Sequence, residues 1–314
     1  MYKEVSEWLS YTGPDEAGGR EYNLKRHEDY QEERFKNTCD WLLDELEFIE
    51  WLNGNSNLSV LWLKGSPGSG KSMLCSRAIA HIDSIESFPV SAFHFSQPSR
   101  QWTVLQTTKS IANQLFERYW SKHDSVPEHL YAAILKNRDE PKNVRDFLKL
   151  LVKEFSVAYI FIDGLDEDDP NGRAPEAVNM INILLDLANS CGNSIRIWFS
   201  SQDKHQIREE LHKFPTIDVQ NQVNKDVDNY LSQAVPLLHK AEIDDETSQW
   251  ILKIVRYRVN GNFLFAKFMV RAIEDVGNFD DMKLFVQEGL PQSIDDFYEK
   301  AFSRYLPAQS SIVR

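Results

Sequence analysis

The sequence predicts an α/β fold: a five-stranded parallel sheet flanked by helices, followed by a small helical subdomain. Three observations predict it. Five short apolar runs alternate with segments of helical period. The runs are nearly continuous in their apolar character, the pattern of strands buried on both faces. After about Gln220 the strand-like runs stop and only helical periodicity follows.

Taken in order, residues 1 to about 20 read as a loose lead-in, with "TGPDEAGG" as turn material rich in Gly and Pro. A helix is expected next, with Trp41, Leu42, Leu46, Ile49 and Leu52 at helical spacing and Gly54 as its stop. "LSVLWLKG", "PVSAFHFS", "VAYIFIDG", "SIRIWFSS" and "FPTIDVQ" are the five strands. Between them lie helical segments such as "KSMLCSRAIAHIDSI", "TVLQTTKSIANQLFERYW" and "APEAVNMINILLDLAN". Beyond them, "NKDVDNYLSQAVPLL", "DDETSQWILKIVRYRVN" and "GNFLFAKFMVRAIEDV" read as three helices, with Asp244 and Asp245 as capping residues. The expected divisions are 1–54 for the lead-in and helix, 55–220 for the sheet domain, 221–288 for the helical subdomain and 289–314 for one more helix after a Gly-Leu-Pro break.

The loop after the first strand, "GSPGSGKS", fills every position of G-x-x-x-x-G-K-[ST] between a strand and a helix. Gly68 and Gly70 let the backbone curl so that several N–H groups face an anion, and the helix that follows turns its positive end to the same place. Gly65, Ser66, Pro67, Gly68, Ser69, Gly70, Lys71, Ser72 and Met73 are therefore the candidate nucleotide contacts. Lys71 is expected at the β- and γ-phosphates, and Ser72 on Mg²⁺. Such a loop needs a carboxylate at the carboxyl end of a neighbouring strand to help hold the metal. Asp163, the first acid after "YIFI", fills that role. Asp166 and Glu167 follow a Gly-Leu step, and one of them is expected to orient or deprotonate an attacking water. Analogy with strand-end glutamates in related ATPases favours Glu167. Asp168 and Asp169 read as solvated loop.

Composition narrows the partners. A formal net charge of -13 and no block of Lys and Arg argue against nucleic acid. No run reaches about 18 uninterrupted apolar residues, so no membrane span is expected. Three distant cysteines, Cys39, Cys75 and Cys191, fit reduced thiols in a cytoplasmic protein. "NKDVD" at Asn224 fails the guanine-specific Asn-Lys-x-Asp pattern, because Val227 stands at the fourth position.

"LWLKGSPGSGKS" together with "IFIDGLDE" resembles the NACHT family of signal-transducing P-loop NTPases, within the wider STAND class. Gly164, Asp166 and Glu167 match that family's small residue and acidic pair. "TCDWLLDELEFIEWL", "GNFLFAKFMVRAI" and "LPQSIDDFYEKAF" resemble fungal NOD-like receptors, so the resemblance spans roughly residues 30 to 310. It implies ATP or ADP with Mg²⁺ as ligands, and it makes 289–314 the truncated start of a winged-helix region. It further implies a switch whose nucleotide state controls opening and self-association, with N-terminal effector and C-terminal sensor domains outside this chain. The output implied is non-self recognition or programmed cell death. Two departures stand out. Where relatives end the fourth strand in an Arg that senses the γ-phosphate, this chain has Gln202. Where they carry Gly-x-Pro, it has Gly261, Asn262 and Phe263, and Phe263 reads as core packing or an adenine contact. The uncharged Gln202 points to slow hydrolysis or pure sensing over the alternative of an active AAA+-like motor. A nucleoside or nucleotide kinase fits the helical tail less well.

Overall fold

The computed structural model describes residues 2–10, 19–54, 59–85, 90–97, 102–135, 140–167, 175–238 and 243–305. "TGPDEAGG" apart from Gly19, Asp168 and Asp169 lie outside these residues. The chain divides into two compact units. One contains Met1–Arg34, Cys39–Gly65 and Lys71–Asp218; the other contains Phe35–Thr38, Ser66–Gly70 and Val219–Arg314.

The first unit opens with α1 (Tyr2–Leu9) and α2 (Gly19–Glu33), then α3 (Leu46–Asn53). The lead-in is thus not loose at its start. Tyr2, Val5, Trp8 and Leu9 share one helical face, and Val5 and Leu9 are fully buried in the main core. The ring of Tyr2 lies 5.0 Å from Trp120, and its hydroxyl donates to Glu117 Oε1 at 2.6 Å. The single helix expected over Trp41–Leu52 is also corrected. A 3₁₀ turn, Asp40–Asp44, is separated from α3 by Glu45 in an extended conformation. That break resets the phase: Phe48 and Trp51 face inward, while Leu46 is 62% exposed. Gly54 does stop α3, in the left-handed region at φ 69°.

The strands are β1 (Val60–Lys64), β2 (Ser91–Phe95), β3 (Ala158–Asp163), β4 (Ile195–Ser201) and β5 (Thr216–Asp218). All pair in parallel, in the order β2-β3-β4-β1-β5. The connecting helices are α4 (Lys71–Ile85), α5 (Val104–His123), α6 (Glu128–Leu135), α7 (Pro141–Val152), α8 (Pro175–Cys191) and α9 (His205–Leu211). Alternate strand residues serve opposite faces. Trp62, Ile160, Ile162, Ile197 and Phe199 meet α5, α7 and α8 in the main core. Phe161 and Trp198 meet Trp51 at ring distances of 5.9 and 6.0 Å. Each such large side chain, taken from water, contributes about 2–3 kcal/mol.

An exposed edge strand invites pairing with another chain. At β2 the outer edge is covered by side chains instead. Gln114 receives the Phe93 N–H at 3.0 Å and donates to the Phe93 carbonyl at 2.9 Å. Asn23 of α2 receives the Phe95 N–H at 2.8 Å.

The second unit is helical: α10 (Val223–Ala234), α11 (Asp245–Val259), α12 (Phe263–Glu274), α13 (Phe279–Leu284) and α14 (Ile294–Tyr305). Val227, Leu231, Ile251, Val255, Phe265 and Met269 fill its interior. Asp244 caps α11 through the Thr247 N–H at 2.8 Å, and Asn262 caps α12 through the Phe265 N–H at 2.9 Å. Phe263 is half-buried, its ring 5.1 Å from Tyr230. "NKDVD" lies in the first turns of α10.

Candidate functional site

The order of the sheet places β4 between β1, which leads into the glycine-rich loop, and β3, which ends in Asp163. The carboxyl end of β4 therefore touches both neighbours. The Gly65 N–H donates to the Ser201 carbonyl at 3.2 Å, and the Leu165 N–H donates to the Ser200 carbonyl at 3.0 Å. The Ser200 hydroxyl donates to Asp163 Oδ1.

Asp163 is buried at the strand end and is hydrogen-bonded to Ser72 as well. Burial pushes its carboxyl above the ordinary range; the Ser200 and Ser72 hydrogen bonds and the charge of Lys71 oppose that. Burial likewise pulls Lys71 down, opposed by Asp163, Asp166 and Glu167. Lys71 Nζ donates to the Gly65 carbonyl at 3.0 Å, closing the loop on itself. Gly68 and Gly70 take φ 74° and 92°, values that side chains resist. A Cβ on Gly70 would meet nothing within 4 Å, so the loop has room beside it.

The loop also carries a hydroxyl in want of a partner. Ser69 Oγ is buried and has none among the described residues, which is costly unless a ligand answers it. That orphan and the positive-φ glycines fit a phosphate group. The Ser72–Asp163 pair offers the hard oxygen donors that Mg²⁺ takes. Met73 lies in the first turn of α4, half-buried.

The two further acids separate by their bonds. Asp166 Oδ1 accepts the Gln202 N–H at 2.9 Å and so holds the end of β4. Glu167 turns back, its N–H bonded to the Gly164 carbonyl at 2.8 Å. Gly164 has φ 69°, and a Cβ there would come within 3.1 Å of Glu167 Cδ and 3.3 Å of Ser96 Cβ. The left-handed backbone favours glycine there, and the space beside it is tight. Arg196, at the other end of β4, lies apart from these groups. It donates to the carbonyls of Trp51, Asn193 and Ile195 at 2.9, 3.0 and 2.8 Å.

Sequence reasoning missed Tyr30 and Arg26. Tyr30 is hydrogen-bonded to Ser72 and faces Asp163; burial, then the Asp163 charge, raises its hydroxyl above its ordinary value. The only sequence signal is the i, i+4 spacing of the pair on a strongly polar helix.

In the second unit, segment 66–70 is held by the start of α12. Asn262 Nδ2 donates to the Pro67 carbonyl at 3.2 Å, and the Leu264 N–H donates to the Gly68 carbonyl at 3.2 Å. Gln220 Nε2 donates to Ser66 Oγ.

A glycine-rich loop after β1 and an acid at the end of β3 are the arrangement of a P-loop NTPase, and the comparisons support the NACHT type. The family model described as "Nephrocystin 3, N-terminal" matches residues 37–202, and the chain belongs to that family. It is 23% identical over 299 residues to the vegetative incompatibility protein HET-E-1 of Podospora anserina, covering 89% of this chain and 21% of that protein. The chain thus spans about a fifth of that relative's length. Among solved structures, a Walker-type ATPase of Pyrococcus abyssi aligns with TM-score 0.47 and 11% identity, covering 93% of this chain and 78% of the other. AMPPCP-bound DnaA from Aquifex aeolicus aligns with TM-score 0.42 and 12% identity, covering 90% and 74%. Among the described residues no helix is long and apolar enough to cross a membrane.

Proposed function

We propose that the chain is the nucleotide-controlled switch of a fungal NOD-like receptor. In this reading it binds ADP or ATP with Mg²⁺ and turns ATP over slowly. Its nucleotide state sets opening and self-association in a cytoplasmic response to non-self. One observation carries the reading: the loop segment that would wrap the phosphates is the same segment gripped by Asn262 and Leu264 of the helical unit. Whatever shifts that loop's backbone is felt at the start of α12. The likeness to HET-E-1 supports the placement among incompatibility proteins.

In the roles assigned, Lys71 meets the β- and γ-phosphates, and Ser72 and Asp163 hold the metal. Bound Mg²⁺ would supply charge neutralisation at the phosphate oxygens. Asp166 Oδ1 holds the Gln202 N–H; Glu167 is assigned to orient a water, by analogy with strand-end glutamates in related ATPases. Gln202 supplies a hydrogen bond but no charge, which supports slow turnover over the AAA+-like motor.

The test is a steady-state ATPase assay paired with light scattering in ADP and in a non-hydrolysable ATP analogue. The switch reading expects a larger assembly with the analogue and turnover below about one per minute. A monomer that hydrolyses many ATP per minute with no change in mass would sink it in favour of the motor.

A further inference from the structure

α2 brings a second pair of polar side chains to the carboxyl ends of β2 and β3. Arg26 and Tyr30 are one helical turn apart and share a face. Arg26 Nη2 donates to the Tyr30 hydroxyl at 2.6 Å, and the guanidinium carbon lies 4.5 Å from the centroid of the Tyr30 ring. Tyr30 is hydrogen-bonded to Ser72, and Ser72 to Asp163. Polar contacts thus lead from Arg26 through Tyr30 and Ser72 to the candidate metal ligand Asp163.

The helix is held by other contacts. Gln31 Nε2 donates to Ser76 Oγ at 2.6 Å, and Ser76 Oγ lies 2.8 Å from His27 Nδ1, tying α2 to α4. The Tyr30 ring packs 5.2 Å from Phe95, the last residue of β2 and the register partner of Asp163. Arg26 is held from its outer side too. The Asp29 carboxylate lies 3.9 Å away. With its amide turned to satisfy both ends, Gln97 accepts from Arg26 at 3.1 and 3.2 Å and donates to Tyr22 at 3.0 Å. The guanidinium is therefore fixed at the mouth of the strand ends, with its side chain 26% exposed.

Charge says what a cation there would do. The charges of Asp163, Asp166 and Glu167 act on Lys71, and β4 is followed by the uncharged Gln202. A nucleoside triphosphate brings one more phosphate, with its added negative charge at the far end. Guanidinium groups suit such oxygens because their planar donors pair with two at once. We propose that Arg26 and Tyr30 form the terminal-phosphate sensor of this chain. Tyr30 positions the Ser72 hydroxyl, and Arg26 supplies, from the N-terminal helix, the charge that the end of β4 lacks. This rests on the nucleotide-binding reading above.

The test is titration calorimetry of the full chain with Mg²⁺ and either ADP or a non-hydrolysable ATP analogue. The quantity read is the ratio of the two affinities. Arg26→Gln should weaken the analogue about tenfold more than ADP, the scale of one charge-assisted hydrogen bond. Arg26→Lys should recover part of that ratio, and Tyr30→Phe should move it in the same direction by a few-fold. A ratio unchanged in Arg26→Gln, while Lys71→Ala loses both nucleotides, overturns the sensor and leaves the nucleotide reading standing. A parent chain that binds neither nucleotide overturns both. If Arg26→Gln does not fold, Tyr30→Phe decides: an unchanged ratio there equally overturns the proposal.

Discussion

The two ends of β4 handle buried polar groups in opposite ways. At the amino end, Arg196 spends its donors on the carbonyls of Trp51, Asn193 and Ile195. Those bonds fasten the end of α3 to the sheet. At the carboxyl end, Asp163, Asp166 and Glu167 act on Lys71. A guanidinium whose Nε and Nη1 are bonded to backbone carbonyls is structural. Charges crowded at a strand end are costly to bury unless a positive group answers them. Sequence position alone does not separate these cases, since Arg196 and Gln202 sit on the same strand and its extension.

Four experiments sharpen that contrast. The largest effect is expected at Lys71. Lys71→Ala should lower nucleotide affinity by about a thousandfold, roughly 4 kcal/mol, in calorimetry; unchanged affinity would refute the phosphate-loop assignment. Next is the amino end. In Gly54→Ala the new Cβ would lie 1.8 Å from Arg196 Nη2, on a residue with φ 69°. A loss of about 2–4 kcal/mol is expected in denaturant unfolding, from the left-handed strain and the displaced hydrogen bonds, with nucleotide affinity kept in the folded protein. A loss below about 1 kcal/mol would show that Arg196 is not a fastening.

The third concerns His94, buried in β2 between Asn23 and Thr107 and pulled down to about 3 by burial. Its folded value lies below the ordinary 6.5, so the unfolded chain binds a proton that the folded chain refuses. The contribution is complete above about pH 6.5 and falls as pH drops toward 3, by up to ~1.4 kcal/mol per pH unit. His94→Gln should flatten the stability profile in that window; identical slopes would place the titration elsewhere. The smallest effect is expected at Asp166. Asp166→Asn keeps an oxygen for the Gln202 N–H, so stability should change by less than about 1 kcal/mol. Glu167→Gln, by contrast, should slow turnover while binding persists. Loss of turnover in Asp166→Asn alone would reverse the roles of the two acids.

Much of the fold was legible because its elements announce themselves locally. The five strands are continuous apolar runs, and the phosphate loop is a complete motif between strand and helix. Asp163 follows from the same logic. The phase of α3 was not legible, because an extended Glu45 interrupts the pattern and turns Leu46 outward. α1 was overlooked because only four of its residues carry its packing. Arg26 and Tyr30 were hidden for another reason. α2 buries only Gly19 and Asn23, so its polar sequence reads as solvated surface. Its value lies in contacts some forty residues distant in the chain and more.

Asn23 gives that helix one further consequence. It satisfies the Phe95 N–H on the outer side of β2, two positions beyond the strand residue that Gln114 closes. Movement of α2 away from the sheet would withdraw Arg26 from the strand ends and uncover the tip of an edge strand in one event. A partner offering an extended backbone would find its template there only after the helix had left.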